Sequence, residues 1–142
     1  MKILLASDGS KPALHAAEYA IALIRQLAAL PESLTLISVH DDAALQRAKP
    51  VVGSAAVADY LRELSDKDVA PVAALLNAAG LRFDVAVRTG HVAQEIVKFA
   101  KDGAFDLIVM GAKGRNPMLD MLLGSVAQHV LAHAQTPVLL VR

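Results

Sequence analysis

The sequence predicts an α/β protein built on an open five-stranded parallel sheet with helices on both faces. Three observations predict this fold: five short aliphatic runs, helical patterns between them, and regular alternation of the two along the chain. Most of the runs are continuously apolar, which is typical of strands covered on both faces. The length, 142 residues, suits one domain with a substantial core, so we expect a single domain over residues 1–142.

The five aliphatic runs are predicted to be strands. The third run, Phe-Asp-Val-Ala-Val, alternates more than the others, which favours an edge of the sheet. The predicted strands are Ile3–Ala6, Leu34–Val39, Phe83–Val87, Leu107–Met110 and Val138–Val141.

The first two helices have readable ends. Ser10 is expected to cap the first helix, which has Pro12 in its first turn and ends by Pro31. The second helical region extends from about residue 55 to residue 79. Pro71 lies inside it and should kink or split it near Asp68, because proline has no N–H to donate.

Two further helices complete the alternation. The third follows Gly90, and the fourth is predicted to begin at Ser125, whose spacing to Gln128 matches a capping box, and to end before Thr136. Residues 41–54 are predicted to be a long connector without regular structure, and connectors of that length are often functional or mobile.

Composition excludes several classes of function. Lys plus Arg and Asp plus Glu both number 14, so no net charge favours nucleic acid or an anionic membrane. Five aromatic residues and no cysteine make stacking platforms, disulfides and thiolate chemistry unexpected. No apolar run approaches a membrane span or a signal peptide, so a cytoplasmic protein is expected, without nucleic-acid or membrane partners.

An anion site is predicted at the carboxyl ends of the strands, where ligands of open parallel sheets collect. The fourth strand ends in Gly-Ala-Lys-Gly-Arg at residues 111–115, where the glycines let backbone amides approach an anion and Lys113 and Arg115 add positive charge. Gly124 and Ser125 begin the last helix, whose first amides and dipole favour a phosphate.

The spacing of these glycines resembles that of a known family. The chain contains neither G-x-x-x-x-G-K-[ST] nor G-x-G-x-x-G. Gly111-x-x-Gly114, nine residues and then Gly124-Ser125, on a chain opening with a strand and Asp8-Gly9-Ser10, resembles the nucleotide-binding branch of the universal stress protein family. The resemblance spans the whole chain, including the closing run at residues 136–141.

The resemblance implies a Rossmann-like fold of the adenine nucleotide alpha hydrolase type, with sheet order 3-2-1-4-5. It implies an ATP site between strands one and four, with Asp8 near the ribose and the Mg²⁺ that accompanies the phosphates. It also implies a homodimer in which the last strands, Val138–Val141, pair antiparallel. The expected nucleotide-binding residues are Ala6, Ser7, Asp8, Val39, Met110, Gly111, Lys113, Gly114, Arg115, Gly124, Ser125 and Val126.

Alternatives remain open from the residues alone. The glycines and Asp8 can be ordinary turn residues, and Lys113 stands where the family often has histidine or arginine. His129 and His133 are four residues apart on one helix face. They can be metal ligands or surface residues, and His40 is the histidine expected near the pocket.

The candidate functions are a nucleotide-dependent stress sensor or adaptor, a slow ATPase or self-phosphorylating protein, and a dimeric interaction module without a nucleotide. No general base for an attacking water is evident, so a dedicated enzyme is not expected.

Overall fold

The computed structural model describes residues 1–41, 43–115 and 122–142. Its described strands and helices alternate along the chain, with two consecutive helices between the second and third strands. The strands are β1 (Lys2–Ala6), β2 (Ser33–His40), β3 (Asp84–Thr89), β4 (Leu107–Gly111) and β5 (Val138–Val141). The helices are α1 (Lys11–Gln26), α2 (Ala43–Val52), α3 (Ser54–Ala78), α4 (Val92–Asp102) and α5 (Ser125–His133).

The five strands form one parallel sheet in the order β3-β2-β1-β4-β5, which confirms the expected fold class. The strand expected at an edge, β3, lies at one edge, and β5 lies at the other. Helices α1 and α3 cover one face, where Leu5, Leu36 and Leu76 are fully buried. Helices α4 and α5 cover the other face, over Leu4 and Ile108. Burial on both faces explains why the strands are continuously apolar.

Helix α1 begins as its sequence predicts. The Ser10 hydroxyl accepts a hydrogen bond from the Ala13 amide at 3.3 Å, and Pro12 occupies the first turn, where its missing N–H costs nothing. The buried residues of α1 recur every three or four positions, and they lie under β1 and β4. This packing holds the start of α1 beside the carboxyl ends of both strands.

The prediction of an unstructured connector is wrong, because residues 43–52 form α2; Asp42 lies outside the described residues. The Asp41 carboxylate accepts a hydrogen bond from the Ala43 amide at 2.9 Å, and Leu45 is buried where α2 packs on α3. Of the residues in this segment that favour a turn, Gly53 is the one that interrupts the helix: it adopts φ +85° and separates α2 from α3.

Two predicted helix details are also corrected. Ser125 is not the cap of α5: Gly124 is, since its carbonyl accepts the Gln128 amide at 3.0 Å, while the Gln128 side chain donates to the Leu123 carbonyl. The predicted start of the helix at Ser125 is confirmed, but the predicted capping box between Ser125 and Gln128 is not formed. Helix α3 runs through Pro71 without being split, because packing of residues on both sides of the proline buries one stripe of the helix.

The sheet topology places a crevice between β1 and β4. Helix α1, which follows β1, covers one face of the sheet, and α5, which follows β4, covers the other. The segments after these two neighbouring strands therefore separate at the carboxyl ends of the strands. No helix in the described part of the chain is both long and apolar enough for a membrane span.

Candidate functional site

A cavity of about 490 Å³ opens at this crevice. Its walls come from the ends of β1, β2 and β4, the first turn of α5, and parts of α1, α3 and α4. Every residue that the sequence analysis assigned to the nucleotide lines this cavity: Ala6, Ser7, Asp8, Val39, Met110, Gly111, Lys113, Gly114, Arg115, Gly124, Ser125 and Val126.

The turn after β1 is held by side-chain hydrogen bonds. The Ser7 hydroxyl accepts from the Gly9 amide and donates to the Asp68 carbonyl, both at 3.1 Å. One carboxylate oxygen of Asp8 accepts from the Ser10 amide at 3.0 Å. Gly9 adopts φ +76°, and a Cβ on it would lie 2.9 Å from Asp68 Cα. The turn therefore requires glycine and is packed directly against α3.

Residues 111–115 together with Gly124 form the glycine loop. The Gly124 amide donates to the Ala112 carbonyl at 2.7 Å, which joins the two halves of the loop. A Cβ on Gly114 would come within 2.9 Å of the second carboxylate oxygen of Asp8, so this oxygen faces the loop. A Cβ on Gly124 would make only ordinary contacts of 3.4–3.6 Å, with Lys113 Cα, the Ala112 carbonyl and the Gly114 amide nitrogen. Glycine at 124 is thus not required for packing, and only a side chain larger than a methyl group would extend over the Gly114 amide.

The start of α5 adds anion-binding character to the same end of the cavity. Its cap residue, Gly124, has no side chain that could accept hydrogen bonds from the first-turn amides. Residues Ser125, Val126 and Ala127 of this turn line the cavity, and so does the cationic residue Lys113. First-turn amides, the helix dipole and a lysine form an arrangement that suits phosphate.

The rest of the cavity provides an apolar slot. It lies between the ends of β1, β2 and β4 on one side and α4 on the other, and its lining includes Ala6, Ile37, Val39, Met110 and Ile96. Such a surface suits a flat heterocycle better than a second charged group. Asp8 lines the same cavity and directs one carboxylate oxygen towards Gly114 of the glycine loop, and carboxylate oxygens are preferred Mg²⁺ ligands. The residues present therefore fit a nucleotide with its magnesium ion.

Sequence reasoning missed Asp68 as a residue of this site. Its side chain is only 6% exposed, it lines the cavity, and it forms an ion pair with Arg115, whose Nε also donates to the Asp8 carbonyl at 2.8 Å. The available signal was spacing, because Asp68 lies four and eight residues before Val72 and Leu76, two fully buried residues of α3. A carboxylate on the inward stripe of a helix requires a charged partner.

His40 lies beside Asp68, as expected of the histidine near the pocket. Its Nε2 is 3.1 Å from the Ser65 hydroxyl and 3.3 Å from the Ser38 hydroxyl, and its Nδ1 is 3.9 Å from the Asp68 carboxylate. Burial, with a smaller contribution from the Arg115 charge, lowers the pKa of His40 below its ordinary value.

The paired histidines of α5 lie outside the cavity lining. The rings of His129 and His133 stack with centroids 4.2 Å apart, and His133 Nδ1 donates to the His129 carbonyl at 2.9 Å. Across residues 1–41, 43–115 and 122–142, no three potential metal ligands converge.

A second cavity, of about 520 Å³, adjoins the first and shares Ala112 and Lys113 with it. It lies between α1 and the end of β5, and Lys11, His15 and Arg142 are among its lining residues. Its lining does not include Asp8 or the first turn of α5, so this cavity lacks both the carboxylate and the helix amides that line the first cavity.

Comparison with known proteins gives a family for the whole chain. Residues 1–142 match the model of the universal stress protein family. The universal stress protein MJ0531 of Methanocaldococcus jannaschii is 32% identical over 142 residues, which cover 99% of this chain and 81% of that protein.

Solved structures agree with this match. The structure of MJ0577, a universal stress protein of Methanocaldococcus jannaschii, superposes with a TM-score of 0.83 at 27% identity and covers 99% of this chain and 94% of that chain. A universal stress protein in complex with cAMP shares the fold, with a TM-score of 0.62, 23% identity and coverage of 100% and 97%.

Proposed function

This chain belongs to the universal stress protein family, and we propose that it binds ATP with Mg²⁺ and acts as a nucleotide-dependent sensor or adaptor in the stress response. In this proposal the cavity at the ends of β1 and β4 holds the nucleotide. The observation that carries it is the meeting, in one cavity, of an apolar slot, a carboxylate and an anion-binding end. A structural relative described in complex with cAMP supports an adenine nucleotide as the ligand class.

Each part of the nucleotide has a candidate partner in the cavity. The adenine fits the slot at Ala6, Ser7 and Val39, and the phosphates fit the glycine loop, Lys113 and the first turn of α5. Asp8 directs one carboxylate oxygen towards Gly114, where it can hold the hydrated Mg²⁺ that neutralises the phosphates.

We further propose a homodimer in the cytoplasm. Strand β5 is an edge strand; the Pro137 carbonyl accepts from Ile108 of β4, and the Val141 carbonyl accepts from Ala112, the residue after β4. By alternation, Val138 and Leu140 direct their backbone groups away from the sheet, where a second copy of β5 can pair with them.

The deciding experiment is a calorimetric titration of ATP into the wild type and Gly124→Val. A valine at 124 fits the extended backbone of the cap (φ −69°, ψ 159°) but extends over the Gly114 amide, so it should abolish ATP binding. Gly124→Ala is the control for the loss of glycine itself. Valine is a poor cap and costs about 1 kcal/mol of stability, so thermal midpoints without ATP must show that the variant is folded.

Two outcomes would contradict the proposal. Equal affinity in the wild type and Gly124→Val would mean that the glycine loop does not hold the phosphates. A wild type that binds no adenine nucleotide would favour the remaining candidate, an interaction module without a nucleotide.

A further inference from the structure

The glycine loop contains two cations, and they have different surroundings. The Arg115 guanidinium pairs with the Asp68 carboxylate on α3 and donates to the Asp8 carbonyl. Lys113 makes no ion pair in the part of the chain that the structure describes. The charge of Arg115 is thus already compensated within the protein, whereas that of Lys113 is available for a ligand.

Burial makes the Asp68 ion pair obligatory. The Asp68 side chain is 6% exposed, whereas the Arg115 side chain is 50% exposed, so the carboxylate is the member of the pair that lacks water. A buried carboxylate without a cation is strongly unfavourable. Its other polar neighbour, His40 Nδ1, is 3.9 Å away, and burial lowers the pKa of that imidazole, which disfavours its charged form. Asp68 therefore holds Arg115, rather than the reverse.

Arg115 in turn determines the position of the backbone beside it. It directly follows Gly114, and glycine restricts the backbone less than any other residue. The guanidinium binds at two points, on α3 and on the turn after β1, and these two segments pack against each other, since a Cβ on Gly9 would lie 2.9 Å from Asp68 Cα. A two-point anchor at 115 limits the orientations open to the Gly114 amide.

We propose that Asp68 is a positioning residue of the nucleotide site: acting through Arg115, it fixes the Gly114 amide and thereby raises affinity for the phosphates. This inference rests on the proposed function. Arg115 is then a structural partner of Asp68, and Lys113 is the cation of the loop that meets the phosphates.

A double-mutant cycle tests the proposal, with Asp68→Asn, Arg115→Gln, both together, and Asp59→Asn as the control. Asp59 is on the same helix, in an exposed pair with Arg62, and its loss should leave ATP binding unchanged. Each single change in the Asp68–Arg115 pair should weaken ATP binding about tenfold, and the double variant should lose no more than either single variant. Adenosine affinity should stay within twofold of wild type, because the loss falls on the phosphates.

The direction of the Asp68→Asn effect decides between two roles of Arg115. If Arg115 itself bound the phosphates, Asp68→Asn would release it and ATP affinity would rise or stay constant. Either result, or additive losses in the double variant, would overturn the proposal. A stability defect alone would weaken ATP and adenosine equally, and that result would overturn it as well.

A measurement without nucleotide separates this inference from the proposed function. The NMR order parameter of the Gly114 N–H should be near the rigid-backbone value of about 0.85 in the wild type and below about 0.6 in Asp68→Asn, with order parameters in β4 unchanged. If the wild type binds no ATP, the proposed function fails while this order parameter still reports whether Asp68 positions the loop. An unchanged order parameter at Gly114 would refute the positioning role even in a protein that binds ATP.

Discussion

Gly111 and Pro12 approach so closely that an ideal Cβ on Gly111 would lie 3.0 Å from both the carbonyl carbon and the Cβ of Pro12. The same Cβ would lie 3.0 Å from the Lys113 carbonyl oxygen. The end of β4 and the first turn of α1 are therefore packed through the missing side chain of Gly111. This glycine is required by the fold, whereas Gly124 is open to a small side chain.

Gly111→Ala should destabilise the protein by about 1–3 kcal/mol, the usual cost of overpacking, because backbone atoms on both sides must move. Gly124→Ala should change stability by less than about 1 kcal/mol, since its Cβ meets nothing closer than 3.4 Å. Urea unfolding without nucleotide measures both values. Equal losses in the two variants would contradict the different roles assigned to these glycines.

Asp8→Asn should weaken ATP binding about tenfold, or about 1.4 kcal/mol, when Mg²⁺ is present, and much less when it is removed with a chelator. Asparagine retains the side-chain oxygen that accepts the Ser10 amide and removes only the charge. Titrations with and without Mg²⁺ measure the difference. An effect of the same size in both conditions would show that Asp8 does not act through the metal.

Leu140→Pro should convert the proposed homodimer into a monomer. By the alternation of β5, the Leu140 N–H points away from β4, so proline removes a donor to the partner without breaking the ladder with β4. Leu140→Ala truncates the same side chain, which packs partly on the α4–α5 core, and retains the amide. Sedimentation at micromolar concentration should give a dimer for the wild type and Leu140→Ala. A monomeric wild type would refute the interface.

Stability should fall as the pH drops below about 6.5, the ordinary pKa of histidine. The pKa of His40 is lowered in the folded protein, so the unfolded chain binds more protons in this range, and protonation favours unfolding. Above that pH the His40 imidazole is neutral in both the folded and the unfolded protein, so it no longer makes stability depend on pH. Urea unfolding from pH 5 to pH 8 should show this slope in the wild type and in His15→Gln, an exposed-histidine control, and a smaller slope in His40→Gln. The same slope in all three proteins would contradict the assignment.

Hydrolysis of ATP, if it occurs, should be far slower than the roughly 1–10³ per second of dedicated enzymes. Among the described residues, three carboxylates line the cavity: Asp68 pairs with Arg115, and one oxygen each of Asp8 and Asp41 accepts a backbone amide. The remaining oxygen of Asp8 is the one proposed to hold the hydrated Mg²⁺, so no described carboxylate is assigned to an attacking water. Phosphate release under saturating ATP and Mg²⁺ measures the rate, and turnover above about one per second would favour the enzyme hypothesis.

The strand order, the cap of α1 and the positions that line the cavity could all be predicted from the sequence. Continuous aliphatic runs identify buried strands, Ser10 with Pro12 identifies a helix start, and the glycine spacing identifies a family with a known sheet order. The aliphatic runs and the helix start are local signals, and the glycine spacing is a fixed distance along the sequence. All three can therefore be recognised without knowing which distant residues are in contact.

Tertiary structure decided what depends on contacts between distant residues. Helix α2 forms in a segment with turn signals because it packs on α3 and buries Leu45, and α3 continues through Pro71 because Val72 and Leu76 pack in the core. Asp68 enters the site only because α3 folds over the turn after β1, 61 residues away in sequence from Ser7. Most local propensities amount to less than about 1 kcal/mol per residue and proline inside a helix costs about 3 kcal/mol, whereas burial of each large side chain contributes about 1.5–3 kcal/mol, so packing of two or more large side chains overrides them where the two disagree.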